Sequence, residues 1–147
     1  MFFILGNVDL DLLEKTYQNA SIGITAIEAV IDKASSKELS EDLHIQLKDY
    51  QELLDKSKEQ LLKNGAKVKD KSLYDKTMMK GNVKMNTMIN SSDSHIADMV
   101  IKGSTMGITQ MTKLLNASKN ADGESTQIAS DFIKKEQKNI DVMKNYL

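Results

Sequence analysis

Few side chains in this 147-residue sequence could do chemistry, and they fall into two groups. The first is a carboxylate and an imidazole three residues apart, Glu41 and His44, with Glu28 upstream. Residues three apart share a helix face. If the chain reverses near Ser36, Glu28 and His44 lie eight residues to either side of the reversal and can face each other. The second group is Glu136, which falls among apolar residues at helical spacing and is predicted to point inward. A buried carboxylate needs a partner or takes a raised pKa. Tyr50 holds the matching place in the first half of the chain, so its hydroxyl is the expected donor, and the pair is expected to be structural rather than catalytic. There is no cysteine, which excludes thiolate nucleophiles, disulfides and Cys-ligated zinc or iron–sulfur sites.

Helices must position these groups. Leu10, Leu13, Tyr17, Ala20, Ile24, Ile27, Ile31 and Ala34 recur at alternating three- and four-residue spacing, one apolar seam of the coiled-coil kind. Asp11 with Glu14 forms a candidate capping box at its start. The polar turn Ser35-Ser36-Lys37 follows, with Ser35 and Glu38 placed to cap a second helix. In that helix the expected seam is Leu43, Leu47, Tyr50, Leu54, Ser57 and Leu61, and Asn64-Gly65 is its C-terminal stop. The absence of proline suits a chain made almost entirely of helix.

The hairpin occurs twice. Ser21-Ile22-Gly23-Ile24-Thr25 returns 84 residues later as Thr105-Met106-Gly107-Ile108-Thr109. The same shift carries the first seam onto Ala97, Ile101, Ser104, Ile108, Met111 and Leu115. A shift of 86 carries the second onto Ala129, Ile133, Glu136, Ile140, Met143 and Leu147, with Asp122 expected to cap that last helix. Two such hairpins bury their seams by packing on each other. The expected organisation is a single all-α four-helix bundle over 1–147: hairpin 1 at about 9–64, a crossover at about 65–92, and hairpin 2 at about 93–147. The crossover is expected to hold a helix through Tyr74, Met78, Met85, Met88 and Ile89. Gly23, Gly103 and Gly107 lie in helix interiors, where glycine is ~1 kcal/mol worse than alanine. Gly103 and Gly107, four apart, are read as one smooth surface for close helix approach.

Composition narrows the function classes. With 40% hydrophobic and 28% charged residues the chain has a globular make-up. Every basic residue is lysine, which lacks the planar fork that reads a guanine edge or grips a phosphate twice. Sequence-specific nucleic-acid recognition is therefore not expected. Lysines cluster from Lys56 to Lys84, and Lys76, Lys80 and Lys84 form one basic face that could meet an acidic partner, although a solvated crossover is the simpler reading. The apolar start Met1-Phe2-Phe3-Ile4-Leu5 is too short for a signal peptide or a membrane span. A cytoplasmic location is the expectation.

Two long helical hairpins joined by a lysine- and methionine-rich crossover resemble the ferritin-like superfamily. The likeness is nearest to small uncharacterised bacterial ferritin-like domains, running through Asn64-Gly65, the crossover and Ile96 to Gly107. In active members, a glutamate on the first and third helices and an ExxH on the second and fourth converge on two metal ions. That resemblance implies that Glu28, Glu41 and His44 form half of such a site, a candidate for iron or zinc. At the equivalent places of the second half stand Thr112, Gln127 and Ser130, which carry no charge, so a two-metal oxidase site is not completed. The favoured expectation is a non-enzymatic scaffold or interaction protein without a cofactor, self-associating as a dimer through Phe2, Phe3 and Ile4. The alternative is an iron-storing or iron-oxidising protein with a degenerate site.

Overall fold

The computed structural model describes residues 6–68, 92–121 and 123–147. All regular structure among them is helical. Helix α1 spans Asn7–Val30 and runs into a 3-10 turn at Ile31–Lys33, α2 spans Lys37–Lys63, α3 spans Asp93–Ala117, and α4 spans Gly123–Met143 with a 3-10 turn at Lys144–Tyr146.

The ends of the helices follow from local chemistry. Gly6 is the N-cap of α1, in extended backbone, and its carbonyl accepts the first helical bond from the Leu10 amide at 3.2 Å. The helix therefore begins before Asp11 and Glu14, and the capping box expected there lies inside α1 instead. Ser36, rather than Ser35, caps α2, its hydroxyl accepting from the Leu39 amide at 3.1 Å. At the far end Gly65 takes φ +72°, and the Gly65 and Ala66 amides donate back to the Leu62 and Leu61 carbonyls. This is the Schellman arrangement, in which glycine supplies the left-handed residue without a Cβ penalty.

Four contacts give the helix directions. The Ser35 and Ser36 amides donate to the two carboxylate oxygens of Asp93, at 2.7 and 3.0 Å, so α3 starts beside the α1/α2 turn. Tyr146 donates to Asp42 at 2.5 Å, which brings the end of α4 to the start of α2. At the opposite end Gln60 donates to Glu124 at 2.9 Å, and Ser125 donates to the buried Asp9 at 2.5 Å. Thus α1 and α4 run one way, and α2 and α3 the other. Gly65, after α2, and Ser92, before α3, therefore lie at opposite ends of the bundle. Helix α1 packs on each of the other three, including α4 across the bundle, which leaves α2 and α3 at the far corners of a rhomb.

The core follows the expected seams with local shifts of phase. In α1 it holds Leu12, Leu13, Tyr17, Ala20, Ile24, Ile27 and Val30, a face wider than one seam because α1 has three neighbours. In α2 the buried positions are Leu39, Leu43, Gln46, Tyr50, Leu53, Ser57 and Leu61, while Leu47 and Leu54 are only half buried. A straight helix turns every 3.6 residues and drifts from a 3.5-residue seam, so the inward line passes through Gln46 and Leu53. In α3 Ile101, Ile108 and Leu115 are half buried. Leu147, expected on the last seam, is 64% exposed because α4 gives way to the 3-10 turn after Met143.

Candidate functional site

Besides the Ser125–Asp9 bond at one end of the bundle, a cluster of four buried polar residues bridges the hairpins midway along it. Glu136 on α4 is 3% exposed. The Tyr50 hydroxyl, on α2, donates to its Oε1. Asn139, one turn along α4, donates Nδ2–H to the same oxygen at 3.2 Å, and the Ser104 hydroxyl of α3 lies 3.5 Å from it. All four residues are buried. Phe132 borders the cluster, its ring centroid 6.3 Å from that of Tyr50 and tilted by 44°.

Glycines shape this layer. A Cβ on Gly23 would stand 2.7 Å from the Tyr50 ring. A Cβ on Gly107 would stand 2.8 Å from Oε2 of Glu136 and 3.3 Å from the Phe132 ring. The repeated glycine therefore makes room for a tyrosine in one half and for a carboxylate in the other. Gly103 has nothing within 4 Å of such a Cβ and is exposed. The smooth Gly103/Gly107 surface expected from the sequence is thus reduced to Gly107, because Gly103 faces outward.

Burial sets the electrostatics. Desolvation pushes the Glu136 carboxyl up from 4.5 to about 7, against hydrogen bonds from Tyr50, Asn139 and Ser104 that act to lower it. The Tyr50 hydroxyl is raised well above its ordinary 10.0, first by burial and then by the neighbouring carboxylate, so it remains a donor at neutral pH. One helical turn from Tyr50, Gln46 is 2% exposed, and both its amide atoms lack a hydrogen-bond partner. Asn19 and Ser21 on α1 each carry one such atom.

Glu28, Glu41 and His44 are all exposed. His44 donates Nδ1–H to the Ser40 carbonyl of its own helix at 2.7 Å, and Glu41 lies 3.9 Å from Lys37. Among the described residues no three His, Cys, Asp or Glu side chains are grouped so as to hold a metal ion. Glu28, Glu41 and His44, expected to form a half-site, stand off the inward line of α1 and α2, which passes through Ile24, Ile27, Leu43 and Gln46. Lys76, Lys80 and Lys84, the crossover methionines, Asp122, and Phe2, Phe3 and Ile4 lie outside the described residues.

The sequence pattern missed Asn139 and Gln46, polar residues that read as outward-facing. Ser104 did fall on a seam, and a hydroxyl among isoleucines was the available signal. The role of Gly23 and Gly107 could have been found by placing the repeated glycine beside the aligned pair Tyr50 and Glu136.

No model of a known protein family matches the chain, and no curated protein matches it. Among solved structures it is similar to the crystal structure of a DUF305 fragment from Deinococcus radiodurans. The two superpose with a TM-score of 0.75 over 96% of this chain and 95% of that chain, at 9% identity. At that identity the likeness is one of fold: both are all-helical. No helix among the described residues is long and apolar enough to cross a membrane.

Proposed function

We propose that this chain is a non-catalytic helical scaffold of ferritin-like topology that acts by self-association. One observation carries the reading. In helical bundles, ligand and metal sites are built from side chains that converge in the core from facing helices. Here the mid-bundle layer is occupied by Tyr50, Glu136, Ser104 and Asn139 bonded to one another, and a layer tied in this way serves cohesion. Parallel α2 and α3, with the end of one and the start of the next at opposite ends of the bundle, support the ferritin-like topology, in which one long crossover connects the hairpins. The apolar run Phe2, Phe3 and Ile4 supports self-association, since pairing two copies removes such side chains from water at ~25 cal/mol per Å².

Elemental analysis of untagged protein purified with added iron or zinc, with an iron-oxidation assay on the same sample, tests the scaffold reading. The expected result is metal well below one equivalent and no oxidation above the buffer rate. A full equivalent that disappears in His44→Ala would replace the scaffold with a metal-binding protein. Light scattering after size exclusion tests the assembly: a dimer is expected, and a monomer from the Phe2→Ser, Phe3→Ser, Ile4→Ser variant.

A further inference from the structure

We propose that Glu136 makes the contact between the two hairpins proton-sensitive: protonated, it lets α2 and α4 pack tightly, and ionised, it loosens them. This goes beyond the scaffold reading and holds whether or not the chain self-associates. The argument begins with what surrounds the carboxyl. It is buried on α4, its bond across the hairpins comes from the neutral Tyr50, and its other donors, Ser104 and Asn139, are neutral too. Gly107 closes the space beside Oε2.

Among the described residues, no cation faces it from any helix packed there. On α1, Asp11, Glu14 and Glu28 are exposed, and Lys15 bonds Gln18. On α2 the titratable neighbour is Tyr50 itself, while Asp49 and Glu52 pair at the surface with Lys135 of α4, at 3.7 and 3.5 Å. On α3 the exposed Lys102 pairs with Asp98. On α4 Lys138 is exposed. A buried negative charge held by neutral donors alone is costly, and burial accordingly raises this carboxyl from 4.5 to about 7.

The sign follows from linkage. The unfolded chain releases this proton near the ordinary 4.5, and the folded chain holds it until about 7. The stability it contributes is therefore whole below the lower value and is lost as pH rises through the upper one. A displacement of this size weakens the folding equilibrium on the order of a hundredfold across the window.

The test is a carbon-detected NMR titration of the Glu136 carboxyl in the folded wild-type chain, alongside urea unfolding from pH 4.5 to 8.5 at constant salt. A titration midpoint near neutrality is expected, together with an unfolding midpoint that falls as pH rises. In Glu136→Gln that fall should largely disappear. In Tyr50→Phe the carboxyl should titrate at still higher pH, because a donor to its ionised form is gone; a merely structural Tyr50 would leave the titration in place. Amide exchange, corrected for intrinsic rates, should show α4 opening more readily at pH 8 than at pH 6 relative to α1. A carboxyl midpoint near 4.5 overturns the proposal, as does an unfolding profile of Glu136→Gln that parallels the wild type, or equal α4 opening at both pH values. Should Glu136→Gln fail to fold, the wild-type titration and exchange still decide.

Discussion

Among the carboxylates that tie the hairpins together, Asp93 and Glu136 are perturbed in opposite directions. Asp93, at the start of α3, accepts from the Ser35 and Ser36 amides in the turn of the other hairpin. Those bonds, with Ser35 first, hold its carboxyl below its ordinary value of 3.8. Glu136 also accepts a bond from the opposite hairpin, yet its carboxyl is pushed up to about 7. Hydrogen bonds favour the ionised form in both places. The difference is desolvation, slight at the exposed end of the bundle and dominant in its middle. A donor therefore stabilises a carboxylate, but it does not replace water around one.

The comparison fixes opposite pH signs. The stabilisation from Asp93 is present above 3.8 and is lost as pH falls through its lowered folded value. The stabilisation from Glu136 is present below 4.5 and is lost as pH rises through about 7. The two contributions overlap in mildly acidic solution.

Substitutions can break or sharpen this contrast. The largest effect is expected from Tyr50→Phe, which removes a donor from a buried carboxylate and should cost about 2 kcal/mol. That cost should be greater at pH 8 than at pH 5, measured by urea unfolding at both; equal costs would mean that the bond serves both protonation states alike. Gly23→Ala should come next. Its Cβ would press on the Tyr50 ring, and overpacking of about 1–3 kcal/mol outweighs the gain of ~1 kcal/mol in helix propensity. A net loss of roughly 1–2 kcal/mol is expected, read from the thermal midpoint.

Asp93→Asn should cost about 1 kcal/mol at pH 7, through a weaker acceptor and the lost charge at the start of α3. Its cost should shrink as pH falls through the lowered folded value, where wild-type Asp93 itself gains a proton. Gly103→Ala is the control for the glycines. With open space around its Cβ, it should stabilise by about 0.5–1 kcal/mol, and a loss there would show that Gly103 is packed after all.

Much of the fold was legible because helical periodicity is a local property that survives without tertiary information. The three–four spacing placed Leu13, Tyr17, Ala20, Ile24 and Ile27 in the core, and the 84- and 86-residue shifts set Gly107 beside Gly23's role and Glu136 opposite Tyr50. The exact inward line was less legible. Leucine at 47 outranks glutamine at 46 on any hydropathy argument, yet Gln46 is the one at 2% exposure. Residue type alone could not show which of two adjacent positions a drifting helix turns inward. Likewise Glu41 and His44, suited as ligands by type and spacing, stand in solvent because the phase of α2 puts Leu43 in the core between them.

By itself the sequence determined the helices, their two-hairpin repeat and the stop at Asn64-Gly65, since spacing, capping chemistry and a left-handed glycine act within a few residues. It also determined which layer would hold a tyrosine and a carboxylate. Only the tertiary structure decided what that layer is: one acceptor oxygen shared by donors from three helices, two glycines that make the room, and no cation beside it among the described residues. Those properties depend on the rotation of each helix and on the distances between helices. Desolvation, which moves Glu136 to about 7, arises only when the neighbouring helices have closed around it.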